Sequence, residues 1–553
     1  MPQSDRAIVS SIAALLCLIA SPLFAADTLR TVALTGTPVP GAAPDARFTG
    51  FERRISIALN NSGQTAFQTF FTEAGLNQAG LLTEGGGAGL RVAARVTVPK
   101  VDGAPLLHVL QALNDQGQTA YFAKVPPNLA AGQPLDLIRD NGPGDSEVVA
   151  HWSLPVEATG FAFTELYPYK VPLSGNGVSL TDDGRVVFPA RATDSDTGGD
   201  RYVGVWREGA SGELDRVIRD GDAAPGTTSN FLLLGTPPYI VANRSGRFAF
   251  PGVATDGTRG IWSEHPDGLK LDVRAGVLAP GAGGATISGF SSTSDLAFNG
   301  QNHLSFQAAL TGPGITGTNN AGLWSIRGGG LELMARQGDQ APGASVGQAF
   351  STFYANALNA RGDRAFIAAT GGPDGSSELG VWSDASGQGF QAVAYPGIPA
   401  PGVGPNVVFD SITFGFISSS FATPLVLNAH GQVAFHGSIV GPGVDDSNRS
   451  GIWAQDRTGI LRLIARTGQQ INVSDDPLQP NWRTISSLLV NGSSGNDDGR
   501  RSWFNDLGQL AFFARFTDGS EGLFVSDVAT VPEPNTLALL LFLPCFRPPR
   551  AKS

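Results

Sequence analysis

One eight-residue pattern returns along this chain and limits what the chain can fold into. It reads NAHGQVAF at Asn428–Phe435, NNSGQTAF at Asn60–Phe67, NDQGQTAY at Asn114–Tyr121, NRSGRFAF at Asn243–Phe250, NARGDRAF at Asn359–Phe366 and NDLGQLAF at Asn505–Phe512. Looser copies are TDDGRVVF at Thr181–Phe188 and NGQNHLSF at Asn299–Phe306. Their mean spacing is about 64 residues, and self-similarity on that scale belongs to propellers, solenoids and arrays.

Each copy has a physical reading. Asn tolerates left-handed geometry and bonds its own backbone, and Gly supplies positive φ, so Asn-x-x-Gly is a turn. Short apolar runs precede it and alternation ending in Ala-Phe follows it, which reads as a β-hairpin. A second block, Gly-aliphatic-Trp, follows at Gly204–Trp206, Gly260–Trp262, Gly322–Trp324, Gly380–Trp382 and Gly451–Trp453, with Leu82 and Phe524 standing in elsewhere. A third block ends in Ala-Pro-Gly, as in Leu214–Gly226 and Leu331–Gly343. Each unit therefore reads as four short strands, a to d, with the Asn-x-x-Gly turn joining a to b and the Gly-Trp block forming c.

Thr28–Gly41 matches the third block with no a, b or c before it, while the last unit stops after Gly522-Leu523-Phe524 without a d. Pairing the N-terminal strand into the last unit would close a ring and leave no open sheet edge. The expected fold is therefore all-β, a β-propeller of about eight four-stranded blades closed by the N-terminal strand. The count falls to seven if the second unit is degraded. That unit lacks a Gly-aromatic block, its Leu135–Asp140 reads as strand d, and a long segment, Asn141–Lys170, follows. A smaller insertion, Asn491–Arg501 (NGSSGNDDGRR), precedes the last hairpin.

Composition agrees. The chain has 72 Gly, 37 Pro and only 15% charged residues, the pattern of many short strands with turns. Its only cysteines, Cys17 and Cys545, lie outside the repeats, so no disulfide framework is expected. A net charge of −11 without a basic cluster argues against nucleic acid as a partner.

Both ends carry signals. Arg6, the apolar run Ile8–Ala20 and Ser21–Ala25 read as a secretory signal peptide over 1–25. The repeats span 28–528. At 531–553 the sequence changes to VPEPNTLALLLFLPCFRPPRAKS, which resembles the PEP-CTERM sorting signal. The resemblance implies export across the inner membrane of a Gram-negative bacterium and an exosortase-like processing enzyme acting near Pro532–Pro534. The chain as a whole resembles bacterial tandem-repeat surface proteins carrying Asn-x-x-Gly-x-x-Ala-Phe, a resemblance that implies a secreted or surface-held protein and no particular chemistry.

Residues repeated in every unit are needed by the unit, so function is sought in what is not repeated. Asp194, Asp196 and Asp200 alternate in one b–c loop and are a candidate calcium site, since calcium takes clustered oxygen ligands. The distal Glu of a helix–loop–helix site is missing, and a solvated loop is the competing reading. Asp445-Asp446 and Asp497-Asp498 are weaker candidates of the same kind. Arg361-Gly362-Asp363 sits inside a repeated turn. The long loops fall on the b–c and d–a face, where a site is expected. Three functions remain open: a monomeric, non-enzymatic module binding extracellular polysaccharide or a surface protein, a propeller glycosidase or lyase with loop-borne carboxylates, and a purely structural matrix protein. No cofactor other than Ca²⁺ is expected.

Overall fold

A computed structural model describes residues 29–51, 57–87, 89–98, 108–124, 135–151, 161–166, 177–194, 201–233, 240–291, 296–373, 375–412, 424–474, 476, 478–490 and 492–530. These hold strands and turns and no helix, arranged as eight antiparallel sheets that form the blades of a β-propeller. The N-terminal strand Leu29–Leu34 lies beside Glu521–Ser526, with Thr31 opposite Phe524 and Leu34 opposite Gly522. It is strand d of blade 8, so the ring is closed as its missing edge required.

The second unit corrects the reading of a degraded blade. Blade 2 is complete, with strands His108–Leu113, Thr119–Lys124, Leu135–Gly142 and Asp145–His151. Leu135–Asp140 belongs to strand c, and Ile138 stands opposite Tyr121 where five blades place tryptophan against phenylalanine and blades 1 and 8 place Leu82 and Phe524. The Gly-Trp signal failed there because an aliphatic residue fills the slot.

The tryptophan slot explains two of the repeated blocks. Trp206, Trp262, Trp324, Trp382 and Trp453 are fully buried. In blade 6 the Trp382 ring stacks on Phe366 of strand b (5.7 Å, 18°) and meets Phe350 of strand a edge-on (5.0 Å, 77°). Blades 4 and 7 repeat this triad. The indole folds back over the glycine two residues earlier: a Cβ on Gly380 would lie 2.6 Å from the Trp382 ring. Its N–H donates to the proline carbonyl of the preceding linker, Trp382 to Pro342 (2.8 Å) and Trp262 to Pro225 (3.0 Å). Gly-x-Trp and Ala-Pro-Gly are thus two halves of one inter-blade joint, and a buried indole with its N–H satisfied contributes a large contact area.

The asparagine does more than shape its turn. Asn428 Oδ1 accepts the N–H groups of His430 and Gln432 (both 3.0 Å), and its Nδ2 donates to the Asn505 carbonyl of the next blade (3.0 Å). Asn505 donates in turn to Asn60 (2.9 Å), Asn60 to Asn114 (2.9 Å) and Asn114 to Thr181 (3.0 Å). Asn243, Asn299 and Asn359 continue the circle to Asn428. Thr181 has no amide to give, and there the Asp182 N–H bonds the Arg244 carbonyl instead (3.0 Å). A belt of hydrogen bonds therefore runs around the axis on the a–b face, which satisfies buried carbonyls that water does not reach.

Candidate functional site

The axis is where a propeller brings side chains of different blades together, and here it is filled. In blade 8 the innermost strand Trp482–Leu489 is followed by residues 490–503, and the chain rejoins the sheet at the Phe504–Leu510 bridge. The intervening segment, the unrepeated insertion of the sequence, plugs the axis. Ser493 and Ser494 pair in parallel with Leu425 and Val426 of blade 7. Gly495 lies against Leu358 of blade 6, where a Cβ would stand 1.8 Å from the carbonyl oxygen, and Gly499 lies against Ala242 and Ser179 of blades 4 and 3. Arg500 donates to the Leu296 carbonyl of blade 5 and Arg501 to that of Leu110 in blade 2. The Leu59 N–H of blade 1 bonds Ser502 O (2.7 Å).

The second residue of several copies meets this plug on the a–b side: Arg244 and Asp506 at Asn496, and Gly300 at Asp497. It is one of the motif's variable positions, filled by Asn61, Asp115, Asp182, Arg244, Gly300, Ala360, Ala429 and Asp506. Arg244 ion-pairs with Asp115 (2.5 Å), lies 3.8 Å from Asp182 and donates to Asn496 O in the plug (2.6 Å). Burial would pull Arg244 down, but Asp115, Asp182 and Asp506 outweigh it and hold the guanidinium above its usual value. The Asp115, Asp506 and Asp497 carboxylates accept the backbone N–H groups of Asn61 (2.8 Å), Ala429 (2.8 Å) and Gly300 (2.7 Å). Asp497 is pushed up to about 6 by burial, against the pull of the Gly300 amide and Arg244. Burial also raises Asp182.

What space remains here is small. A cavity of about 40 Å³ is lined by Asn60, Asn114, Asp182, Arg244, Asn496 and Arg500, among others. That volume holds a few waters, and Asn496 Oδ1, which has no hydrogen-bond partner among the described residues, is an acceptor for them. The inner-strand segments Ile57–Leu59, His108–Leu113, Ala349–Leu358 and Leu425–Leu427 contain no Asp or Glu, whereas Phe161–Leu166 and Val408–Ile412 carry Glu165 and Asp410.

The plug's two arginines differ. Arg500 Nε lies 3.4 Å from Asp498 Oδ2, both side chains buried. Arg501 is partly exposed and has no carboxylate within ion-pair distance among the described residues. Burial pulls it down to about 10, so it stays charged at neutral pH.

Of the candidates from sequence, Asp194 closes strand b of blade 3, Val186–Asp194, while Asp196 and Asp200 lie outside the described residues. The signal peptide at 1–25 and the tail at 531–553 also lie outside them. Asp445 accepts from Ser447 N (2.8 Å), and Asp446 pairs with Arg449 (3.3 Å). Asp497 and Asp498, given little weight in the sequence, are brought onto the axis. The Arg361 and Asp363 side chains are joined to each other at 2.6 Å. Among the described residues no group of three or more His, Cys, Asp or Glu is disposed to hold a metal ion. Sequence reasoning passed over Asp115, Arg244 and Arg501. Asp115 and Arg244 occupy one of the motif's several variable positions, which did not single them out, and nothing local marked Arg501.

An eight-bladed propeller with a plugged axis is the class that fold and site define. The chain belongs to the family of unknown function DUF7453, whose model matches residues 59–538. Among curated proteins none matches it. Its fold is similar to that of a puromycin hydrolase, at 12% identity and a TM-score of 0.34, covering 89% of this chain and 62% of that one. An ulvan lyase of polysaccharide lyase family PL25 is similar at 9% identity and 0.32, covering 92% and 98%. The WD40 domain of SCAP from fission yeast is similar at 11% and 0.33, covering 91% and 95%. The chain thus spans less than two thirds of the hydrolase, and likenesses at these values lend no activity.

Proposed function

We propose that this protein is an exported, surface-held binding module for extracellular polysaccharide, monomeric and without catalysis. One observation carries the reading: the axis is occupied by the plug, and the carboxylates gathered there are engaged by backbone amides and Arg244. A glycosidase or lyase needs an acid and a base free to face each other across roughly 5–10 Å of substrate. Carboxylates held in fixed hydrogen bonds around a water-sized cavity are poorly suited to that. Export and retention rest on the signal-like segment at 1–25 and the Pro-Glu-Pro tail at 531–553, which support a location among extracellular polymers.

The test is to express residues 26–530 and measure polysaccharide binding and chain shortening in the same samples. Binding without new chain ends is expected. Appearance of new reducing or unsaturated ends would return the enzyme reading, and failure to bind any polymer would favour a structural matrix role. In cells, the full chain should stay surface-associated or be cleaved near Pro534, whereas a chain ending at Ala529 should escape to the medium.

A further inference from the structure

The two arginines that leave the plug stand side by side in sequence and differ in one respect. Arg500 has a counter-charge: Asp498 Oδ2 lies 3.4 Å from its Nε and the Asp498 carboxylate also accepts Ser494 Oγ (3.0 Å) and Gly495 N (3.1 Å). Among the described residues Arg501 makes one hydrogen bond, to the Leu110 carbonyl, and it is partly exposed. A guanidinium carries five N–H donors in a planar fork suited to carboxylate and sulfate oxygens. Holding it half out of water with one neutral partner is unfavourable, and an arriving anion would remove that cost.

Its position says from which side an anion would arrive. Leu110 is the fourth residue before Asn114, so at ~3.3 Å per strand residue it lies ~13 Å from the a–b turns, toward the opposite face. The cavity on the a–b side is lined by Arg500 and Ser502 and not by Arg501. On that side Asp115, Asp182, Asp497 and Asp506 outnumber Arg244 and would repel an anion. Among the described residues the plug therefore sets an acidic cluster on its a–b side against Arg501 toward the other.

We infer that Arg501 receives an anionic group, a carboxylate or sulfate of an acidic glycan, on the axis from the b–c face. The inference rests on the binding function proposed above and adds the charge of the ligand. With the chain at −11 overall, anionic polymers have no general attraction to its surface, so their binding would report a local site.

The experiment uses residues 26–530 as wild type, Arg501→Gln and Arg501→Lys. The probes are polygalacturonate, dextran sulfate, unmodified dextran and inorganic sulfate. Polygalacturonate or dextran sulfate should bind, more weakly as salt rises, and whichever is preferred identifies the group. R501Q should weaken that binding tenfold or more, R501K should retain part of it, and neither should lower the melting temperature, because an unmatched buried charge is removed or kept. Inorganic sulfate should displace the polymer better than chloride at equal ionic strength, a readout on the wild type alone. Acidic polymer bound equally by R501Q, or sulfate displacing no better than chloride, would overturn the inference. So would preference for neutral dextran, which leaves the binding function standing. A fall in melting temperature with unchanged anion binding would make Arg501 a strut between plug and blade 2. Binding of none of the polymers would remove both readings.

Discussion

The belt of asparagines and the plug it surrounds occupy the same end of the axis and are built on opposite principles. Each belt asparagine does one job, and only blade 3, with Thr181, departs from it: Oδ1 organises its own turn and Nδ2 reaches the next blade's carbonyl. In the plug the residues take separate roles. Gly495 admits the Leu358 backbone, Asp498 neutralises Arg500, and Arg501 is left unmatched. The difference teaches where to look for function in a repeat protein. Symmetry assigns the repeated residues to the ring, and the asymmetric segment decides what the axis can bind.

Four perturbations would break or sharpen that contrast. Removing Leu29–Leu34 should have the largest effect, because it exposes strand Glu521–Ser526 as an open edge and unseats buried Ala33 and Leu34. A drop in melting temperature on the order of 10 °C or more is expected by calorimetry, and a small change would mean the ring does not depend on its closure. Next, Gly495→Ala should cost about 1–3 kcal/mol in denaturant titration, since its Cβ would overlap the Leu358 carbonyl. A plug lying loosely in an open channel would tolerate it.

Asn428→Ala removes two acceptor contacts and the donations to Asn505 O and Gln432 Oε1, leaving the Asn505 carbonyl with the Gly508 N–H of its own turn. A loss of about 2 kcal/mol is expected, and an unchanged midpoint would reduce the belt to turn chemistry alone.

The smallest effect concerns Asp497. Its folded value of about 6 lies above the ordinary 3.8. Between these values the folded state holds a proton that the unfolded chain has lost. This contribution therefore favours folding at acid pH and vanishes as pH rises through 6. Asp497→Asn keeps an acceptor for the Gly300 N–H. It should stabilise by on the order of 1 kcal/mol at pH 7.5 and change little at pH 4.5. The same gain at both pH values would show that Asp497 is not titrating in the axis.

Much of the ring was legible because the relevant physics is local. Asn-x-x-Gly turns, Ala-Phe strands and Gly-x-Trp strands declare themselves within a few residues, and eight spaced copies with a lone N-terminal strand imply a closed propeller. The misreading of Leu135–Asp140 came from the same source: Ile138 fills the tryptophan slot, so the local signal was absent while the blade was present.

The amino-acid pattern by itself determined the strand order of the regular units and the closure, and left the blade count between seven and eight, because turn geometry and alternation act over a few residues and repeat. Tertiary structure alone decided what the asparagine amides, the proline carbonyls and the insertion do, since their partners lie in other blades. Asn505 finds Asn60 across 445 residues, and Arg501 finds Leu110 across 391. No local pattern encodes which blades meet at the axis. That follows from packing eight twisted sheets around a channel narrow enough for one inserted segment to fill.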